Sequence, residues 1–309
     1  MSRVNEAIES FECFGAQVNV IVMGEGAAGA PTAAAQLAKG LLLGWHSQFS
    51  RFEPGSELSL LNCDPRATVP VSRVMAELLR ATVLAAEQSG GLVDATMIRE
   101  IEDAGYAEHL AAPGLALTEA LAIAPQRSPA APSAEQYWRQ VVLDADAGTV
   151  TRPPGMRFDS GGLAKGLFGD ILDGLLASHE SFAIDCAGDV RLGGRAGLER
   201  PVLVESPFDG STIHSFALGS GAVATSGISR RSWLAPDGTP AHHLLDPSSG
   251  RPAFTGIVQV TAIAPSGVEA EWRTKAALLS GSERALAWLP HGGLVVFDDG
   301  SFSLRPASR

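Results

Sequence analysis

Polar and apolar residues alternate along FGAQVNVIVMG, Phe14 to Gly24, with Val18, Val20 and Val22 on one face, and a period of two predicts an opening β-strand. The small residues of 25–31 make a turn, and the Ala- and Leu-rich stretch from Thr32 to Gly44 reads as a helix ended by glycine. Pro54-Gly55 turns the chain again. Ser56 then reads as a helix cap ahead of Leu58, Leu60 and Leu61, a reading stronger than a ligand role. Residues 72–88 form an amphipathic helix from a Ser72 cap to a Gly90-Gly91 stop. In the following GLVDATM, Asp94 and Thr96 alternate with apolar neighbours, which suits either a polar strand end at a cleft or a solvated edge. The Pro- and Ala-rich run from Ala111 to Ser133 reads as a surface excursion without a role in chemistry. Val141 to Val150 is a hairpin turning near Asp146 to Gly148.

The stretch FDSGGLAKGLFGD, Phe158 to Asp170, combines an extended apolar lead-in, Asp159, a Gly161-Gly162 turn and a helix whose Leu163, Leu167, Ile171 and Leu175 make an apolar stripe. Two glycines before a helix start let the backbone approach a ligand and leave N–H groups directed at it, the usual ground for a phosphate. Lys165 adds a full charge there, while the plain alternative is a tight turn with a solvated lysine. Only three of the 23 basic residues are lysines, Lys39, Lys165 and Lys275, so an ordinary surface cation in this chain is written as arginine. A lysine therefore points to a place that wants a compact ammonium, which arginine's planar fork does not replace.

Residues 182–194 read as strand, Gly188-Asp189 turn, strand. GSGAVATSGISRRSW, Gly219 to Trp233, places Thr225 and Ser226 beside glycines ahead of Arg230 and Arg231, letters that suit a phosphate or polar ring and also a plain loop. HHLLDPSSGRP, His242 to Pro252, is a turn sequence opened by Asp246, and its paired histidines with a carboxylate three residues on make His243 and Asp246 catalytic candidates. A strand over 257–264 precedes a helix over 270–288 interrupted near Gly281. On that helix Glu271 and Lys275 lie one turn apart, in the order of a simple surface ion pair.

Composition narrows the field of partners. A chain of 309 residues makes one large domain or two closely packed ones. A net charge of −11, a pI near 5.1 and scattered arginines argue against nucleic acid or anionic membrane, so an anionic ligand must be held locally. Cys13, Cys63 and Cys186 form no CxxC pair, which fits reduced thiols in a cytoplasm. Glu6, Glu9 and Glu12 precede any apolar run, so no secretory signal is expected and the expected location is cytoplasmic.

Taken in order, these stretches resemble the ApbE family, the FAD:protein FMN transferases, from about Phe14 to Gly281. SELSLLN is similar to the family's S-x-x-N segment, Val93-Asp94-Ala95-Thr96 to its FDPT, and DSGGLAKG to its DLGGIAKG. The Gly188-Asp189 turn matches, Ala224 to Gly227 is identical to the family's ATSG, and HHLLDPSSGRP is nearly its HHIIDPxTGxP. The resemblance implies a single catalytic domain over 1–309, with two packed subdomains as the alternative partition. It implies an α+β protein of the T-fold-like type, antiparallel sheets with packed helices and FAD in a cleft. Family members use magnesium to split FAD and pass FMN, through a phosphodiester, to a Thr or Ser hydroxyl of a target protein. Carried over, Asp159, Gly162 and Lys165 stand at the FAD and metal, with Phe14 and Asp94, Ala95 and Thr96 along the nucleotide. Thr225 and Leu244 lie nearby, and His243 is the general base.

The last family motif, AD-x-x-x-T, supplies magnesium ligands, and here this chain departs from it. Aligned on Ala270 and Gly281, it has Glu271 for the Asp and Lys275 for the Thr. Glutamate still offers a hard oxygen, whereas a charged lysine ligates no magnesium and repels it. Thr274 lies about 100° round the helix and is a poor substitute. The departure implies that the Lys275 ammonium, paired with Glu271, sits where the magnesium would and meets the FAD phosphates; the plain alternative is a Lys275 directed to solvent on a shifted helix. Three readings remain open: an FMN transferase, a flavoprotein that holds FAD without transferring it, and an FAD pyrophosphate hydrolase.

Overall fold

A computed structural model describes residues 5–108, 114–235 and 237–307. Its backbone is an eight-stranded antiparallel sheet of β1 (Glu6–Cys13), β2 (Ala16–Met23), β3 (Ser181–Cys186), β4 (Asp189–Gly193), β5 (Gly221–Gly227), β6 (Ile257–Ala264), β7 (Gly293–Phe297) and β8 (Phe302–Arg305). Spatial order follows chain order, so the sheet is a meander into which helices and loops are inserted. The helices are α1 (Pro31–Phe49), α2 (Glu57–Cys63), α3 (Arg73–Gln88), α4 (Ile98–Asp103), α5 (Leu117–Ala122), α6 (Ala164–Leu176) and α7 (Gly267–Leu279). The architecture is α+β with antiparallel pairing, as the sequence implied.

Alternation along β3 divides the core. Phe182 and Ile184 pack with Val18, Val20 and Val22 of β2 under α1, α3 and α6, while Ala183 joins Val223, Val260 and Ala262 in a second cluster. Between such layers β6 is buried on both faces over its whole length, so it shows no alternation in its sequence. β1, at the sheet edge, keeps alternate glutamates in solvent.

Several local readings change in the structure. Phe14 lies in a turn: with φ of 57° at Phe14 and 73° at Gly15, the two residues join β1 to β2. α1 runs through Gly44 to Phe49, because Trp45 and Phe49 continue its buried face and outweigh the propensity cost of one glycine. The buried stripe of α6 is Ala164, Leu167, Phe168, Leu172 and Leu176, turned one residue from the expected one; Ile171 and Leu175 are half-buried. The ATSG letters sit in strand β5, paired with β6, instead of in a glycine loop. Residues 111–113 of the Pro-rich run lie outside the described residues. The rest packs more closely than a surface excursion: α5 buries Leu117 and Ala120, and the N–H groups of Ser128 and Ala130 donate to the carbonyls of Phe254 and Leu279. The caps hold as read, with Ser56 and Ser72 accepting from Ser59 N and Met75 N, and α7 stops before Gly281, whose φ is 81°.

Candidate active site

The glycine turn before α6 is fixed from two sides. The Asn62 side chain accepts from Phe158 N at 2.8 Å and donates to Phe158 O at 2.9 Å, taking the place of a strand partner. Asp159 N donates to Ala95 O at 2.8 Å, which brings the Asp94-Ala95 segment against the turn. The Asp159 carboxylate accepts from Gly161 N at 2.9 Å and so shapes the turn itself. Asp94 is held the same way, accepting from Thr96 N at 2.8 Å and from the Thr96 hydroxyl at 2.7 Å, and burial pushes its carboxyl above the usual range.

Where α6 meets α7 and the β3–β4 turn, four charged side chains gather. Lys165 is ion-paired to Asp189, whose other oxygen accepts from Thr225 N at 3.0 Å. Burial would lower the Lys165 ammonium, but Asp189 and then Glu271 hold it above its ordinary value. Against burial, Lys165 and then Lys275 hold Asp189 below its own. Glu271 is only 1% exposed: Oε2 accepts from Gly166 N at 3.2 Å, and Oε1 is buried without a hydrogen-bond partner. Burial pushes the Glu271 carboxyl up to about 8, opposed by Lys275 and reinforced by Asp189. The free N–H at the helix start, expected to face a ligand, thus faces a carboxylate of the protein. Lys275 is half-buried, donates to the Glu271 carbonyl at 3.3 Å, and has its ammonium lowered first by burial. The expected ion pair is therefore not formed: among the described residues Lys275 meets the backbone carbonyl of Glu271 and not its carboxylate. Thr274 is turned away, its hydroxyl 2.7 Å from Ser226 Oγ and 2.8 Å from the Glu271 carbonyl.

The two histidines divide their roles. His242 Nδ1 accepts from Leu244 N at 3.3 Å, its ring stands edge-on to Phe254 at 4.9 Å, and burial lowers it to about 3. It is a core residue. His243 faces the cleft with Nδ1 buried and unpartnered, and burial followed by the charge of Arg231 keeps it well below its ordinary value, so it is neutral.

These groups border a cleft of about 1250 Å³ between the β1–β2 turn, the start of α6 and the strand Arg200–Glu205. Of the residues expected at the site, Phe14, Asp94, Ala95, Asp159, Gly162 and Lys165 line it, as do Thr225, His243, Leu244, Glu271 and Lys275. Thr96 and Asp246 do not. Asp246 accepts from Ser248 N and Oγ, Ser249 Oγ and Ala131 N, so its carboxylate closes a turn and anchors the Pro-rich segment. Sequence reasoning missed an aromatic wall on which the Arg51 guanidinium stacks, 4.3 Å from the Phe52 ring centre and 4.6 Å from that of Tyr106. It also left Asp189 unassigned, although the Gly188-Asp189 turn was a signal for it.

The donor set does not fit a divalent cation. Gly162 and Glu271 are the expected ligands, but Lys275 stands beside both: its ammonium donates to the Glu271 carbonyl at 3.3 Å, and a Cβ on Gly162 would stand 3.4 Å from its Cε. An ammonium offers no lone pair and repels a metal ion. Among the described residues, no three His, Cys, Asp or Glu gather as a metal site.

Comparison with known proteins follows the same outline. The sequence profile described as the ApbE family matches residues 14–297. The FAD:protein FMN transferase of Treponema pallidum is 28% identical over 258 residues, covering 76% of this chain and 67% of that protein. The enzyme of that name from Vibrio cholerae is 30% identical over 170 residues, 51% of each chain, so this chain spans about half the length of that relative. Among solved structures, the ApbE protein of Thermotoga maritima superposes with a TM-score of 0.79 at 25% identity, covering 97% of this chain and 96% of that one. The flavin transferase ApbE of Vibrio cholerae gives 0.75 at 21% identity, covering 99% and 98%, and shares the fold.

Proposed function

The chain belongs to the ApbE family, and we propose on that footing that it is an FAD:protein FMN transferase, moving FMN from FAD to a Thr or Ser hydroxyl of a protein acceptor. The observation that carries this reading is a neutral histidine and two lysines facing one cleft of about 1250 Å³, room enough for a dinucleotide. His243 takes the proton of the acceptor hydroxyl. The oxygen attacks the phosphorus of the FMN half, forming a phosphodiester, and the bond to the AMP half breaks with its electron pair leaving on AMP. Lys165 and Lys275 stabilise the charge that develops on the pyrophosphate oxygens. A bound dianion also offsets the Arg231 and Lys275 charges that depress His243, which makes the imidazole a better base once FAD is in place.

A second reading, a protein that holds FAD without transferring FMN, is favoured by the lysine at the metal position. Purified protein incubated with FAD and assayed for AMP release separates the readings. Transfer predicts AMP release that rises with a hydroxyl-bearing protein acceptor and falls on the order of 10²–10⁴-fold in His243→Asn. AMP release independent of any acceptor would mean hydrolysis. Bound FAD with no AMP, acceptor present, would mean a holder.

A further inference from the structure

Of the cations at the cleft floor, Lys165 is committed to Asp189 by a direct ion pair. Lys275 is not so committed: it reaches a backbone carbonyl at 3.3 Å, and no carboxylate of the described residues lies within 4.0 Å of its ammonium. Its stem lies along the glycine turn at the start of α6, against Gly162, where close approach of a ligand to backbone is possible because no Cβ intervenes. Arg231 borders the same cleft, and the charges of Glu271, Asp189, Lys165 and Arg231 all act on the Lys275 ammonium. An ammonium held beside a glycine turn at a helix start without a carboxylate partner, in a chain of net charge −11, suits a locally held anion.

We propose that Lys275 stands in for a divalent cation in this chain: its ammonium, and no metal ion, neutralises the pyrophosphate of the bound dinucleotide. The proposal rests on the reading of the cleft as an FAD site. Magnesium requires oxygen ligands in near-octahedral array at about 2.0–2.1 Å, and an ammonium in that space removes both a ligand and the room. The same ammonium supplies what the metal would have offered a phosphate, a compact charge with rotatable donors.

The test is titration of FAD into the purified chain by flavin fluorescence, once in EDTA and once in millimolar magnesium. The expected result is a dissociation constant equal in the two buffers within about twofold, and weakened about tenfold or more by Lys275→Met in both, the size of a lost charged hydrogen bond. Lys275→Thr, which returns a hydroxyl oxygen beside Glu271, is expected to bind FAD more tightly in magnesium than in EDTA. Wild-type binding that strengthens tenfold or more in magnesium overturns the proposal and leaves the FAD reading standing. Equal binding by wild type and Lys275→Met overturns it as well. No FAD binding in either buffer brings down the FAD reading itself, and this proposal with it. The wild-type comparison needs no variant and decides the metal question even if Lys275→Met does not fold.

Discussion

At the residue scale, the cleft depends on charges that are paired before any ligand arrives. Asp189 holds Lys165 in a largely buried ion pair, their side chains 7% and 20% exposed. Removing one partner of such a pair leaves the other charge uncompensated, which costs more than the pair itself contributes. Asp189→Asn retains an oxygen for Thr225 N and removes only the charge. It is expected to lower stability by about 3–5 kcal/mol in urea unfolding. Adding Lys165→Met is expected to recover most of that loss, and a single-variant cost under about 1 kcal/mol would show that the pair is solvated after all. The lysine was legible in the sequence because lysine is scarce in this chain; its partner was less so, since pairing across 24 residues is set by how β4 meets α6. Thr96 and Asp246 show the opposite limit. Their letters suit chemistry, but short polar side chains next to turns bond first to their own backbone, and only coordinates reveal that they are already engaged.

At the scale of elements, the site exists because α6 and α7 touch backbone to backbone. A Cβ on Gly166 would stand 2.5 Å from the carbonyl carbon and oxygen of Gly267, and Gly166 N is the group that binds Glu271. Gly166→Ala gains helix propensity of about 1 kcal/mol. Against a backbone that no rotamer change can move, the clash is expected to outweigh this and to destabilise by about 1–3 kcal/mol net, read as a lowered urea midpoint at unchanged slope. A rise in the midpoint would mean the helices part freely. Alternation and caps had marked α2, α3 and β2 closely, because each carries its own period or boundary residues. The crossing of α6 and α7 left no such mark: a glycine in a helix reads only as a weak position until its neighbour is known. The rotation of the α6 stripe has the same origin, since a helix covered on two sides buries a broader arc than a surface helix.

At the scale of the molecule, an eight-stranded meander with long insertions draws residues from both ends of the chain into one cleft, and the order of motifs revealed this better than any one motif. The same burial that builds the core buries an imidazole. His242 is lowered from 6.5 to about 3 because burial would leave the charge of a protonated imidazole in the apolar interior. The unfolded chain therefore binds a proton at pH values where the native chain does not, so the contribution of His242 is present above pH 6.5 and is lost as pH falls below it. The slope approaches about 1.4 kcal/mol per pH unit, or about 2 kcal/mol lost by pH 5. His243, lowered in the same direction, adds to the loss. Glu271, raised from 4.5 to about 8, acts with opposite sign: its contribution is present below 4.5 and lost as pH rises through 8. Two histidines outweigh one carboxyl on the acid side, so stability is expected to peak between about pH 6 and 7 and to fall from there toward pH 5. Urea midpoints measured from pH 5 to 9 test this, and His242→Gln, which does not titrate, should flatten the acid limb whatever it costs at pH 7. An acid limb that begins only below pH 5, in the carboxylate range, or that keeps its slope in His242→Gln, would mean that His242 takes up its proton without unfolding the protein.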